Sequence, residues 1–221
     1  MRASMSQGLG MTSDRTRRKL VDRLVEQGID NEEVLSAVES VPRHFFVEES
    51  IAHLAYEDRA LPIGKRQTIS QPYIVALMTQ ALVQAGEVSK VLEIGTGCGY
   101  QTAILAQLFD NVYSIERIES LSLSARRRMR QLGLQNVRLR FGDGNLGWEE
   151  HAPYDAIIVT AAAHDVPSQL KCQLRDSGRI VIPLGRDGYQ DLVSLDRKGS
   201  EWQQTLLETV TFVPLLAGTS Q

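Results

Sequence analysis

The chain has 221 residues, 43% of them hydrophobic and 23% charged, with a net charge of −3, enough to bury a sizeable core within one domain. There is no general basic excess of the kind a phosphate-backbone binder needs. No apolar run reaches the roughly 18 residues of a membrane span.

Residues 1–13 read as a loose tail without the apolar core of a secretory signal, with Met1, Met5 and Met11 as possible starts. Cys98 and Cys172 fit no metal spacing, and a reducing cytoplasm is their simplest setting. Leu20, Val21, Leu24 and Val25 predict a helix over 16–27, closed by Gly28. Asp30 is the expected cap of a second helix, with Glu33 at its third position. That helix presents Val34, Leu35 and Val38 and stops at Pro42. His44, beside Phe45 and Phe46, reads as part of a packed corner. This helical region is expected to cap one edge of a sheet. The stretch 56–70 has little periodicity, with turns at Pro62 and Gly64. Pro72 then suits the first turn of a helix ended by Gly86, so Gln67-Thr68-Ile69-Ser70 stands where an anion is welcome.

Val91-Leu92-Glu93-Ile94-Gly95-Thr96-Gly97-Cys98-Gly99 reads as a strand entering a glycine turn, with a helix following over 102–108. Glycine is required where the backbone turns to positive φ or must approach a ligand. The amides of the next helix then form a cradle at a strand's C-terminal end. A dinucleotide fingerprint is G-x-G-x-x-G; Gly95, Gly97 and Gly99 instead give G-x-G-x-G. Glu93 is expected to face the turn, where it suits an ammonium group and repels a pyrophosphate. A nicotinamide or flavin site, and a turn with no ligand, remain alternatives. Cys98 reads as a small residue tolerated in the loop rather than as a catalytic thiol.

A second strand over 111–116 ends in Glu116, placed to accept hydrogen bonds from a ribose. The helix over 119–132 carries Arg126-Arg127-Arg128, a solvated face without interleaved aromatics. A strand over 136–141 leads to Asp143, a candidate acceptor for the amine of adenine. An unbroken apolar run makes 153–160 a central strand. A helix over 166–174, a strand over 177–185, and a closing antiparallel pair over 190–195 and 202–213 complete the chain. Alternating helices and strands predict an α/β fold, a doubly wound, mostly parallel, Rossmann-like sheet. Residues 14–221 form one expected domain: 14–70 as helical cap and substrate loop, 71–221 as the cofactor-binding sheet.

Several blocks agree with one family. Ala60-Leu61-Pro62-Ile63-Gly64, Gln67-Thr68-Ile69-Ser70-Gln71-Pro72, the loop from Leu92 to Ala103, Gly142-Asp143-Gly144 with Gly147-Trp148, the run Ala152 to Ala162, and Phe212-Val213-Pro214-Leu215 resemble protein-L-isoaspartate O-methyltransferases. The glycine loop is shared more widely, with class I S-adenosylmethionine-dependent methyltransferases. Cys98, where the family often has serine, and Gln71, where some members have alanine, depart from the pattern. The resemblance implies methyl transfer from S-adenosylmethionine to the α-carboxylate of L-isoaspartyl residues in damaged proteins and peptides, whose esters collapse to succinimide and so begin repair.

Loop and resemblance together give cofactor contacts from Gln67, Thr68, Glu93, Gly95, Thr96, Gly97, Gly99, Glu116, Asp143 and Gly144. The resemblance adds acceptor contacts from Thr68, Ile69, Ser70, Val213 and Leu215. It makes Ser70 the catalytic residue, by a hydrogen bond to the acceptor and not as a covalent nucleophile. A helix cap is the plainer role for that serine. The expected setting is a cytoplasmic monomer acting on isoaspartyl proteins, with no metal, nucleic acid or membrane. A methyltransferase for small molecules or nucleic acid, and a catalytically dead binding module, are the rivals.

Overall fold

The computed structural model describes residues 13–185 and 188–221. All of the expected tail except Ser13 therefore lies outside the described residues. The chain opens with α1 (Asp14–Glu26) and α2 (Glu32–Ser40). Leu20 and Leu24 of the first and Val34, Ala37 and Val38 of the second are buried. The cap of α2 is Asn31, whose side chain accepts from the Val34 N–H; Asp30 is exposed. Both residue types cap equally well, so the sequence could not separate two acceptable neighbours. Gln80 Oε1 settles the matter by accepting the N–H groups of both Asp30 and Asn31.

Two 3-10 turns follow, Arg43–Phe46 and Glu49–Leu54. His44 Nδ1 lies 2.7 Å from the Tyr56 hydroxyl, and Phe46 packs edge-on against Tyr100, the packed corner expected there. The stretch with little periodicity is a hairpin, β1 (Leu61–Gly64) and β2 (Gln67–Ile69). Its tip places Lys65 and Arg66 at φ 51° and 57°, a left-handed pair normally given to glycine or asparagine. A tip without those residues carries no hairpin signal in the sequence.

Next comes α3 (Pro72–Val83), buried on nearly all sides because it lies between the N-terminal helices and the sheet. The sheet itself takes in β3 (Lys90–Ile94), then α4 (Tyr100–Leu108), β4 (Asn111–Glu116), α5 (Glu119–Gln131), β5 (Val137–Phe141), β6 (Tyr154–Val159), α6 (Ser168–Gln173), β7 (Leu174–Leu184), β8 (Gln190–Lys198) and β9 (Glu201–Val210). Strand order is β5-β4-β3-β6-β7-β8-β9, with the first five parallel and the last two antiparallel. The chain winds outward from β3 to β5 and returns to β6 on the other side of β3. That reversal leaves a crevice at the C-terminal ends of β3 and β6.

Two expectations change. The N-terminal helices do not cap a sheet edge; Leu20, Leu24, Val34 and Val38 share one core with Val75 and Ala76 of α3 and Ala103 and Ile104 of α4. The last strand stops at Val210 rather than Val213. Beyond it the chain leaves the sheet edge and meets the end of β6: Ala162 N–H donates to the Val213 carbonyl, and Leu215 N–H donates to the Ala162 carbonyl.

Replacing Asn31 with alanine removes the α2 cap and should cost about 1 kcal/mol of unfolding free energy. Asp30→Ala should cost almost nothing. Urea titration of both variants checks the pair; equal losses would return the cap to Asp30.

Candidate active site

Two cavities flank the crevice. The first, about 350 Å³, is lined by Ile94, Gly95 and Gly97 from β3 and its loop, Ile115 to Ile118 from β4 and its exit, Gly144, Arg66, Gln67 and Thr68 from the hairpin, and Val213 to Leu216. The second, about 290 Å³, is lined by Ala60, Thr68, Ser70, Gln71, Ile74, Tyr189 and the stretch from Thr209 to Val213. Thr68, Thr160 and Val213 belong to both walls. A smaller space between hairpin and glycine loop, bounded by Thr68, Ile69, Ser70, Gly95 and Thr160, lies at the same junction.

The glycine loop turns with φ of 98°, 55° and 90° at Gly95, Gly97 and Gly99. A Cβ on Gly95 would sit 2.4 Å from Thr160 Oγ1, the hydroxyl that holds the Gly95 carbonyl at 2.7 Å. A side chain here is excluded both by conformation and by space. Gly144 is closed in the same way: its Cβ would lie 2.4 Å from Ile94 Cγ2.

Glu116 is the acid on the first cavity's wall. Its Oε2 accepts the Gly97 N–H at 2.7 Å and its Oε1 the Ile118 N–H at 2.9 Å. Burial raises its pKa against the pull of those amides. Each oxygen keeps a second lone pair, so the carboxylate can still accept hydroxyl donors from the cavity.

Glu93 lies elsewhere. It is fully buried and lines neither cavity. Ser114 and Thr102 donate to its Oε2, Thr96 in turn bonds Ser114, and Oε1 has no partner among the described residues. The strand alternation explains the difference: Ile94 faces the cavity, so its neighbour Glu93 points to the opposite face of the sheet. Burial lifts the pKa of Glu93 from 4.5 to about 8, with the two hydroxyls opposing.

Asp143 has partners of its own. Its oxygens accept from Asn145 and from the Gly218 N–H, which hold its pKa down against desolvation. It ties down the C-terminal tail and is absent from the cavity wall. Thr96 bonds Ser114 and borders the smaller space at the junction, and Gly99 is the N-cap of α4. Cys98 is buried and its thiol pKa is raised by desolvation, so it is not a ready thiolate.

Gln67, Thr68, Gly95, Gly97, Glu116, Gly144 and Leu215 therefore lie on the first wall, Ser70 on the second, and Thr68 and Val213 on both. The N-cap of α3 is Gln71, whose own side chain makes no cap hydrogen bond, so the plainer role for Ser70 is not the one it plays. Asp58 does the capping from a distance: it accepts the Tyr73 N–H and the Gln71 and Gln27 amides. Thr160 was not legible as a site residue. Its only sequence signal is its place at the end of the central strand beside β3.

The first cavity fits an adenosyl sulfonium. Ile94, Ile115, Ile118 and Leu215 offer apolar walls to a base, Glu116 offers an acid to hydroxyls, and Gly95, Gly97 and Gly144 let backbone approach. The residues it shares with the second cavity, Thr68, Thr160 and Val213, are uncharged, while Arg66 and Arg117 are also on its wall.

The family model described as protein-L-isoaspartate(D-aspartate) O-methyltransferase matches residues 15–220. A protein-L-isoaspartate O-methyltransferase of Halorhodospira halophila is 54% identical over 218 residues, 99% of each chain. One from Alcanivorax borkumensis is 53% identical over 211 residues, 96% of each. Among solved structures, a protein-L-isoaspartate O-methyltransferase superposes with a TM-score of 0.82 at 29% identity, covering 90% of this chain and 65% of that one. A second, described as a putative protein-L-isoaspartate O-methyltransferase from Plasmodium falciparum in complex with S-adenosyl-L-homocysteine, gives a TM-score of 0.79 at 25% identity, covering 90% and 98%.

The raised pKa of Glu93 has a consequence for stability. A carboxyl that binds its proton more tightly when folded stabilises most below its unfolded pKa, and that stability is lost as pH rises through the folded one. Wild type should lose stability on this account between about pH 4.5 and about pH 8. Glu93→Gln has no such group, so its melting temperature should gain on wild type across that window. Melting curves at five or six pH values check this; a constant difference would mean that Glu93 titrates normally.

Proposed function

The chain belongs to the protein-L-isoaspartate(D-aspartate) O-methyltransferase family, and from that membership we propose how its own residues divide the work. It uses S-adenosylmethionine to methylate the carboxylate of isoaspartyl residues in proteins and peptides. The observation that carries the assignment of residues is the pair of cavities that meet at Thr68, Thr160 and Val213.

The first cavity takes the donor and the second the acceptor. Bound in the first, S-adenosylmethionine supplies a methyl group on a positive sulfur, which leaves as a neutral thioether. Gly95, Gly97 and Gly144 admit the donor by their lack of side chains, with Gln67 and Thr68 closing over it. Glu116 accepts from its sugar. Glu93, Thr96, Gly99 and Asp143 act behind the wall, holding the loop and the tail in shape.

The acceptor carboxylate is ionised at neutral pH and brings its own electron pair, so no proton need move. Among the described residues of the second cavity there is accordingly no His, Asp, Glu or Lys. What the chain must do is align and exclude water. Ser70 donates its hydroxyl to one carboxylate oxygen and turns the other toward the junction. Thr68 and Ile69 set the pocket, while Val213 and Leu215 flank the acceptor's main chain.

Residues 14–221 work as one unit, with 14–70 supplying cap and acceptor strap and 71–221 the donor side. The shared core between α1, α2, α3 and α4 supports that unity. A protein acceptor, rather than nucleic acid, and a monomer complete the proposal. Both cysteines are free, which fits a reducing cytoplasm.

Labelled-methyl transfer to an isoaspartyl peptide, beside its normal aspartyl twin and an RNA, tests the activity. Only the first should be labelled. Ser70→Ala should lose a hydrogen bond to a charged group, about 1.5–3 kcal/mol, or roughly 10- to 150-fold in kcat/KM. Its melting temperature should hardly move, since no cap is lost. A variant with wild-type turnover would remove Ser70 from the mechanism. Glu116→Ala should weaken cofactor binding by a comparable energy, measured by calorimetry with S-adenosylhomocysteine.

A further inference from the structure

Arg43 is fully buried. A guanidinium in such a place is expensive unless every nearby dipole serves it, and burial accordingly lowers its pKa. Among the described residues no carboxylate forms an ion pair with it. Its acceptors are main-chain carbonyls instead: Nε donates to Ala55 at 2.8 Å, and Nη2 donates to Ser70 at 2.7 Å and, more loosely, to Arg59 at 3.4 Å. Its Cζ lies over the ring of Tyr100, 4.8 Å from the centroid, Tyr100 being the first residue of α4 after the glycine loop.

The positions of these acceptors matter. Ala55 and Arg59 stand before β1, and Ser70 stands just after β2. One planar group thus holds both ends of the segment that carries the hairpin. It does so while lying against Tyr100, at the start of the helix that follows the glycine loop. We propose that Arg43 is a positioning residue for the acceptor site, clasping the two ends of segment 55–70 so that Ser70 presents its hydroxyl at a fixed place. The proposal rests on the assignment of Ser70 to the acceptor cavity.

A single-point cation cannot replace the clasp. Lysine keeps the charge but has no rigid fork able to span acceptors on separate segments. Arg43→Lys is therefore the informative variant, with Ser70→Ala in parallel. In Arg43→Lys, well below its melting temperature, kcat/KM for an isoaspartyl peptide should fall at least about 10-fold, chiefly through a raised peptide KM. The Kd for S-adenosylhomocysteine should stay within about twofold of wild type. A lower melting temperature with wild-type kcat and KM would make Arg43 structural only and overturn the proposal. If Ser70→Ala proves fully active, the acceptor assignment itself fails; if Ser70→Ala is impaired and Arg43→Lys is not, only the clasp fails.

Hydrogen exchange on the wild-type protein covers the case in which the lysine variant does not fold. A clasped strap is ordered before substrate arrives, so amides at 67–71 should be protected without peptide. Protection that appears only when peptide is added would overturn the proposal.

Discussion

A loop with three left-handed residues leaves amides that no helix or ladder can satisfy, and each must find an acceptor or face water. Here the acceptor for the Gly97 amide is the carboxylate of Glu116, which at the same time takes the Ile118 amide at the start of α5. One side chain therefore fixes the loop after β3 to the exit of β4. Remove it and two backbone donors lose their partner together, and the wall of the first cavity with them. The buried relay from Thr96 through Ser114 to Glu93 secures the same loop from behind. Two acids close to the loop thus divide the labour: one toward the ligand, one toward the core.

The second half of the site is made by a short two-stranded hairpin and an irregular run outside the main sheet. The hairpin at 61–69 and the strand-like run after Val210 reach the junction from opposite sides. The chain flanking the hairpin and the run after Val210 are held by polar contacts to better-packed parts. Asp58 collects the Tyr73 amide and the side chains of Gln71 and Gln27, and so links α1 to the start of α3. Ala162 exchanges hydrogen bonds with Val213 and Leu215. Loops placed on a rigid frame in this way are where specificity is usually carried.

What the sequence revealed follows from how each feature is encoded. The apolar run before Gly95 and the glycine spacing are local signals, so the strand, loop and order of the sheet could be read. The hairpin could not, because its tip uses Lys65 and Arg66 where glycine or asparagine would have announced it. The direction of Glu93 depended on which face of β3 meets the crevice, a property of register and not of residue type. Asp143 gave no hint that the distant Gly218 amide would claim it. Arg43 looked like any charged residue after a proline; only the folded chain brings three carbonyls 12, 16 and 27 positions away to its guanidinium.

The cavity proposed for the acceptor bears on which damaged proteins can be served. It is a cleft between the hairpin strap and the run from Thr209 to Val213. A chain can enter such a cleft only when extended and released from its own hydrogen bonds. An isoaspartyl residue inside an intact helix or a central strand must first be freed by local opening, whose cost ranges from nearly nothing at frayed ends to the full stability of the fold. Turnover on a folded substrate is then governed by how often the lesion opens, and the enzyme sorts its clients by their local stability as much as by their chemistry.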